Sequence, residues 1–145
     1  MIPLRGPAEI AERLGFSRAA SALLVETPET LRDALASAAS SDQTIVSVNS
    51  RSLRSVKDHF DLILLWQESR VGSRASLGAA VKRLAPGGRL WVATALKKVI
   101  GPRTPAVHRL EREDLEKALE KEGMVREGEA RLSAWHVAYG FRKNL

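Results

Sequence analysis

The chain has 145 residues, of which 44% are hydrophobic and 28% charged, and these are the proportions of an ordinary globular domain. It contains no cysteine, which excludes disulfide bonds, thiolate metal sites and cysteine nucleophiles. The 23 basic and 17 acidic side chains give a formal net charge of +6, which favours partners that carry phosphate or carboxylate groups.

The sequence predicts one cytoplasmic domain. No apolar run reaches the roughly 20 residues that a membrane span needs, and the N-terminus lacks the apolar centre of a signal peptide. We therefore expect a single domain over residues 1–145, in which residues 1–16 form an N-terminal helix and lead-in.

The first part of the chain predicts two short strands, each preceded by a helix. An apolar stripe predicts a helix over residues 7–14, and a short apolar run predicts a buried strand over residues 22–26. Thr27 is expected to cap the next helix, with Pro28 at its first position because the N–H that proline lacks is unpaired there anyway. Residues 44–48 predict the second strand.

The middle of the chain continues the alternation of strands and helices. Residues 60–66 form a continuous apolar run, which predicts a strand near the centre of a sheet. The other predicted elements are a polar connection at 49–59, a helix at 73–85, a turn at 86–88, a strand at 89–94, a loop at 95–108 and a helix at 111–122.

The last segment predicts an antiparallel hairpin, with strands at 125–132 and 134–142 and a tight turn near Ser133. Trp135, Val137, Tyr139 and Phe141 alternate strictly, as in a half-buried strand. The predicted fold is therefore an α/β, Rossmann-like, three-layer domain, with a mostly parallel sheet closed by a C-terminal antiparallel hairpin.

From residue 60 onward the chain resembles the second half of a class I methyltransferase, the fold that binds S-adenosylmethionine. The resemblance rests on Phe60-Asp61-Leu62-Ile63, on the run from Leu84 to Val92 around Pro86-Gly87-Gly88, on the helix that ends at Gly123, and on the hairpin. The whole chain is also similar to a family of short bacterial proteins of unknown function that look like trimmed methyltransferases.

The resemblance implies a cofactor loop after the first strand, where this chain departs from the family pattern. The family has glycines there, because backbone without Cβ atoms can approach the cofactor closely. Here Pro28 takes the position of the first glycine, and it has a fixed φ and no N–H. We therefore expect no cofactor. If S-adenosylmethionine does bind, Glu26 and Asn49 are the residues in the family's contact positions.

The polar connection over residues 49–59 stands where the resemblance implies a helix and a further edge strand. The chain therefore looks shortened at this point, and we expect one edge of the family's binding pocket to be missing.

A basic edge is the main functional prediction from charge. Residues 70–109 contain nine basic side chains and no acidic one. The loops after parallel strands emerge at one edge of a sheet, which places Arg51 and Arg54 near this run. The predicted anion-binding residues are Arg70, Arg74, Lys97, Lys98 and Arg103.

Few residues suggest catalysis. Glu68 follows the central strand and is a candidate general base, although such a carboxylate is more often part of the surface. His59, His108 and His136 lack the spacing of metal ligands, so no metal is expected.

Three functions remain open. We expect a non-catalytic, methyltransferase-like binding module whose basic edge meets a phosphate-containing ligand, nucleic acid or an acidic protein, and no membrane. One alternative is a small S-adenosylmethionine-dependent methyltransferase with an atypical cofactor loop. The other is a structural or regulatory subunit that forms homo-oligomers through the C-terminal hairpin.

Overall fold

A six-stranded sheet with helices on both faces forms the molecule. The computed structural model describes residues 7–69, 72–95, 110–133 and 136–143. The helices are α1 Pro7–Leu14, α2 Glu29–Ala38, α3 Ser50–Leu53, α4 Ser73–Lys82 and α5 Arg112–Glu120, with a 3-10 turn at Phe16–Arg18. The strands are β1 Ser21–Val25, β2 Thr44–Val48, β3 Phe60–Trp66, β4 Leu84–Ala95, β5 Met124–Arg131 and β6 His136–Lys143.

The strand order is β2-β1-β3-β4-β6-β5. The pairs β1–β2, β1–β3 and β3–β4 are parallel, whereas β4–β6 and β5–β6 are antiparallel. This confirms the predicted fold class, a mostly parallel sheet closed by a C-terminal hairpin. β2 is the outermost strand among the described residues, in agreement with the predicted loss of an edge element.

Two apolar layers hold the helices on the sheet. Leu14 of α1 and Leu31 of α2 pack with Leu24 and Trp91 on one face. On the other face the buried leucines of α3, α4 and α5 pack against the sheet; they are Leu53, Leu77, Leu115 and Leu119. Continuous apolar strands with both faces covered are what a central parallel sheet requires.

Three predictions differ from the structure by more than a shift of one or two residues at the end of an element. The polar connection at 49–59 contains the four-residue α3, for which Asn49 is the N-cap. The helix predicted to residue 85 ends at Lys82, because the Arg83 carbonyl accepts a hydrogen bond from Phe60 N–H instead. The predicted turn at 86–88 lies inside β4 as an irregularity, where the pairing register shifts between Phe60 and Leu62.

The hairpin is confirmed as an antiparallel pair, although its strands begin and end a residue or two from the predicted positions. The predicted alternation of a half-buried strand is wrong for β6, because both of its faces are covered: His136, Ala138 and Gly140 are buried as well as Val137 and Phe141, and Tyr139 is half buried. Trp135 lies outside the described residues. In the described part of the chain, no helix has the length and hydrophobicity needed to cross a membrane.

Candidate functional site

The carboxyl ends of β1, β2, β3 and β4 lie at the same edge of the sheet because these four strands are parallel. From β1 the chain connects outward to β2, and from β2 it crosses back to β3 on the other side of β1. Doubly wound sheets bind ligands at such a switch of direction, outside the carboxyl ends of the strands. The switch lies between β1 and β3, because the chain leaves β1 toward β2 and leaves β3 in the opposite direction, toward β4. The loops after β1 and β3, together with the loop after β2 beside them, are therefore the first place to look for a site.

A cleft of about 430 Å³ opens between the ends of β1 and β2. We call it the β1–β2 cleft. Its lining residues come from the two strand ends and the helices that follow; they are Glu26, Thr27, Arg32, Ser47, Val48, Asn49 and Ser52. Both family contact positions named from the sequence, Glu26 and Asn49, line this cleft.

Glu26 ties the two loops of the cleft together. Its N–H donates to the Val48 carbonyl at 3.0 Å, and its Oε1 accepts from Ser50 N–H at 2.7 Å and from the Ser50 hydroxyl at 3.3 Å. Its φ of 55° lies in the left-handed region, unlike that of any other non-glycine residue in the described ranges. Such a conformation costs roughly 1–2 kcal/mol for an L-residue, so these hydrogen bonds hold the loop in a strained shape.

The Asn49 side chain already stabilises the fold in the absence of a ligand. Its Oδ1 accepts a hydrogen bond from Ser52 N–H at 2.8 Å, which caps α3. The side-chain oxygen is thus engaged, and the amide nitrogen is the group left to donate into the cleft.

Thr27 does not cap α2, contrary to the prediction. The N-cap is Pro28, with φ −57° and ψ 145°, and no side chain caps the helix. The Thr27 Oγ1 is buried and has no hydrogen-bond partner among the described residues, while the residue as a whole is 7% exposed. A buried hydroxyl without a partner costs roughly 1–3 kcal/mol, so this atom calls for an explanation.

A second polar cluster lies at the end of β3. The Trp66 indole N–H donates to Glu68 Oε2 at 3.0 Å, and His136 Nε2 lies 3.6 Å from the same oxygen. The rings of Trp66 and His136 stack at a tilt, with centroids 4.7 Å apart. On its other side, His136 Nδ1 is 3.4 Å from the Ser133 hydroxyl.

Glu68, the candidate general base, is thus held by the indole N–H, and the imidazole of His136 lies 3.6 Å from the same oxygen. His136 was not a candidate from the sequence, because it lies far from Glu68 along the chain. Pairing of β4 with β6, which sets Ala95 opposite His136, brings the two side chains together. Trp66 is half buried and packs against the core, so it serves as a lid on the core and a donor to Glu68.

The predicted anion-binding residues are only partly described. Arg70, Lys97, Lys98 and Arg103 lie outside the described residues. Arg74 lines a groove of about 450 Å³ between α4 and α5, together with acidic and basic side chains; these are Asp114, Lys117, Lys121 and Glu122. Its surroundings are therefore of mixed charge.

Arg51 and Arg54 lie on the other side of α4. They line a groove of about 390 Å³ between α3 and α4, and none of the described residues that line it is acidic. Arg74 and this pair therefore line different grooves, and the basic edge as a whole stays a prediction.

Within the described ranges, no group of three or more His, Asp or Glu side chains could hold a metal ion. The expectation of no metal remains a prediction.

Sequence patterns contain no sign of the unpaired Thr27 hydroxyl or of the strained Glu26 backbone. A threonine after a strand and before a proline predicts a helix cap, and only the backbone conformation shows that it is not one. The one signal for Glu26 was its place at the end of the first strand.

No family model matches this sequence, and no curated protein matches it either. Solved structures do. One is a SAM-dependent methyltransferase from Aquifex aeolicus, with a TM-score of 0.73 and 11% identity over 93% of this chain and 88% of that chain. The chain has the class I methyltransferase fold.

Two further structures support this assignment of the fold. N-methyltransferase NodS from Bradyrhizobium japonicum, in complex with S-adenosyl-L-homocysteine, has a TM-score of 0.66 and 17% identity over 94% of this chain and 85% of that chain. The mitomycin 7-O-methyltransferase MmcR has a TM-score of 0.66 and 16% identity over 96% of this chain. The chain spans 53% of the length of MmcR.

These structures contradict the prediction that the chain takes no cofactor. NodS holds the demethylated cofactor and the Aquifex protein is described as SAM dependent, so the neighbours point to S-adenosylmethionine. The prediction failed because it placed the critical left-handed turn at Pro28. In the structure that turn is at Glu26, and Pro28 is a helix N-cap that needs neither a positive φ nor an N–H.

Proposed function

We propose that the chain binds S-adenosylmethionine in the β1–β2 cleft and is an S-adenosylmethionine-dependent methyltransferase. The observation that carries this proposal is the buried Thr27 hydroxyl without a partner, in a cleft at the ligand edge of a methyltransferase fold. Because this oxygen is buried in the free chain, the Thr27 side chain would rotate toward the cleft when a ligand binds, and a ligand hydroxyl would then supply the missing partner and remove the cost of the buried group. Adenosine has such hydroxyls on its ribose.

The residues of the cleft carry hydrogen-bonding groups of the types that this ligand can pair with. The Thr27 hydroxyl can donate or accept, the Asn49 amide nitrogen can donate, and the Ser52 hydroxyl can do either. The Glu26 carboxylate adds a negative charge beside a cofactor that carries a positive sulfonium. When bound, S-adenosylmethionine supplies an electrophilic methyl group.

Glu68 is our candidate for the acceptor side of the reaction. It follows β3, the strand next to β1, and neighbouring strands lie only about 4.8 Å apart. Its Oε2 is held by the Trp66 N–H and lies next to His136. A carboxylate fixed in this way can accept the proton that an acceptor hydroxyl or amine must lose.

Calorimetry with S-adenosyl-L-homocysteine tests the proposal. We expect binding with a Kd below about 1 mM, and a Thr27→Val variant that binds about 3- to 10-fold more weakly through loss of one hydrogen bond. Thr44→Val is the matched control, because Thr44 is exposed at the opposite end of β2 and does not line the cleft. No heat with the wild-type chain would reject cofactor binding, and equal effects of the two variants would reject the cleft as its location.

A second candidate function rests on Arg51 and Arg54. Two guanidinium groups line the groove between α3 and α4 and no carboxylate does, an arrangement that attracts phosphate. We propose this groove as a contact for the predicted phosphate-bearing partner. Binding of a single-stranded RNA oligonucleotide should weaken steeply with salt and fall in an Arg51→Gln, Arg54→Gln variant, and unchanged affinity would reject it.

A further inference from the structure

In the described part of the chain, nothing protects the outer strand β2 from pairing with another strand. Its residues are Thr44, Ile45, Val46, Ser47 and Val48, none of them charged, glycine or proline. Their side chains are exposed or half buried, so the flanking helices leave the strand open. Exposed edge strands of this kind pair readily with other chains.

The opposite edge of the sheet is protected. The outer strand at that edge, β5, carries four charged side chains, which are Arg126, Glu127, Glu129 and Arg131. Arg126 pairs with Glu129 at 3.5 Å, and Glu127 pairs with Arg89 at 2.7 Å and with Arg142 at 2.9 Å. The register of β5 also shifts between Arg126 and Gly128. Charges and irregular pairing both discourage the addition of a strand, so the two edges differ in kind.

The backbone of β2 presents a defined set of hydrogen-bonding groups. Thr44 N–H donates to Ala20 O, and Val48 O accepts from Glu26 N–H, so both residues face the β1 side. Because the N–H and C=O groups of successive residues in a strand alternate in direction, those of Ile45 and Ser47 point away from β1. The open edge therefore offers two donors and two acceptors, placed symmetrically about Val46.

We propose that β2 pairs antiparallel with β2 of a second copy of this chain, about a twofold axis at Val46. Ile45 then lies opposite Ser47 of the second copy, and Ser47 opposite its Ile45. Each of these pairs exchanges two hydrogen bonds, so four bonds satisfy every outward group of both strands. Val46 faces itself in a non-hydrogen-bonded pair, where the two Cα atoms are about 4.5 Å apart.

A second copy fits this edge because of charge and symmetry. A chain with a net charge of +6 repels itself over most of its surface, whereas the uncharged β2 places no like charges across the axis. A twofold contact must be self-complementary, and the groups of β2 are arranged in that way. The same reasoning leads us away from the C-terminal hairpin as the oligomer contact, since its outer strand is the charged β5.

A single introduced thiol tests the register directly, because the chain has no cysteine of its own. In Val46→Cys, the two sulfur atoms of the pair fall within the range in which a disulfide forms. The matched control is Val125→Cys on β5, which is half buried at the other edge. Under mild oxidation we expect most of the Val46→Cys variant, and little of the Val125→Cys variant, as a covalent dimer on a non-reducing gel. Equal crosslinking of the two variants would overturn the proposal.

Sedimentation of the wild-type chain and of two lysine variants, none of which contains a cysteine, gives an independent result. We expect the wild type to be a dimer, Val46→Lys to be a monomer because it sets two positive charges across the axis, and Val125→Lys to remain a dimer. A wild-type chain that sediments as a monomer up to millimolar concentration would overturn the proposal. Circular dichroism checks that each variant is folded, and the Val46→Cys result stands even if Val46→Lys unfolds. Neither measurement depends on whether S-adenosylmethionine binds.

Discussion

The β4–β6 region and the β1–β2 cleft differ in how fully their buried polar groups are satisfied. Near β4, the Trp91 indole N–H donates to the Leu14 carbonyl at 2.9 Å, and the Thr94 hydroxyl donates to the Leu110 carbonyl at 2.7 Å. In the cleft, Thr27 has no partner and Glu26 has a left-handed backbone. The buried polar groups named in the first region are hydrogen bonded within the chain. The second region keeps an unpaired hydroxyl and a strained backbone, two features that are common at ligand-binding sites.

Packing shows the same contrast. Trp91 is 4% exposed and lies so close to Gly140 that a Cβ there would be 2.9 Å from two of its ring atoms. Any side chain larger than glycine at residue 140 would therefore clash with the tryptophan ring on the neighbouring strand. The β1–β2 cleft instead leaves an open volume of about 430 Å³.

The largest effect should come from Trp91→Ala. The change removes the buried ring, leaves a cavity against Gly140 and takes the donor away from the Leu14 carbonyl, so we expect a loss of about 3–5 kcal/mol. The free energy of unfolding in urea measures it. A loss under about 1 kcal/mol would mean that this region is not the completed part of the fold.

A smaller pair of effects should differ in sign between the two regions. Thr94→Val removes a buried hydroxyl that is hydrogen bonded, so we expect it to destabilise the free protein by about 1–3 kcal/mol. Thr27→Val removes a buried hydroxyl that has no partner, so the same change should stabilise the free protein by about 1 kcal/mol. Urea unfolding of both variants without ligand compares them, and destabilisation by Thr27→Val would show that its hydroxyl is already satisfied.

The smallest effect concerns pH and lies on β6. Burial raises the pKa of Tyr139, and the nearby Glu129 carboxylate raises it further, while Arg112 and Arg126 act in the opposite direction. The folded state therefore favours the neutral phenol, whose pKa in an unfolded chain is about 10. Stability should fall as pH rises through about 10 and above, and the fall should be smaller in Tyr139→Phe. Urea unfolding at about pH 8 and above about pH 10 would show this, and parallel curves would contradict it.

The elements that were predicted well are those with a strong local signal. Continuous or alternating apolar runs defined residues 44–48 and 60–66 to the residue, and an apolar stripe defined α1. The predicted end of the helix at residue 85 was wrong, because the Arg83 carbonyl accepts a hydrogen bond from Phe60 N–H on β3 and the helix ends before it. Local propensity carries no information about such a partner.

The site was harder to predict for the same reason. Glu26 and Asn49 follow the strands as expected and both line the cleft, while their contact with a cofactor stays a prediction. The contact of Glu68 with His136 depends on the pairing of β4 with β6, which no spacing in the sequence reveals. The prediction based on Pro28 was wrong because the residue with the left-handed backbone in this loop is Glu26, a short distance earlier in the chain. The sequence does not show which residue of a short loop takes that conformation.

A crystal structure of the chain with S-adenosyl-L-homocysteine tests the central claim most directly. We expect the adenosine part of the ligand in the β1–β2 cleft, with one of its hydroxyl groups within hydrogen-bond distance of Thr27 Oγ1. A ligand seated elsewhere on the chain, or an occupied cleft in which Thr27 Oγ1 is still unpaired, would contradict the account.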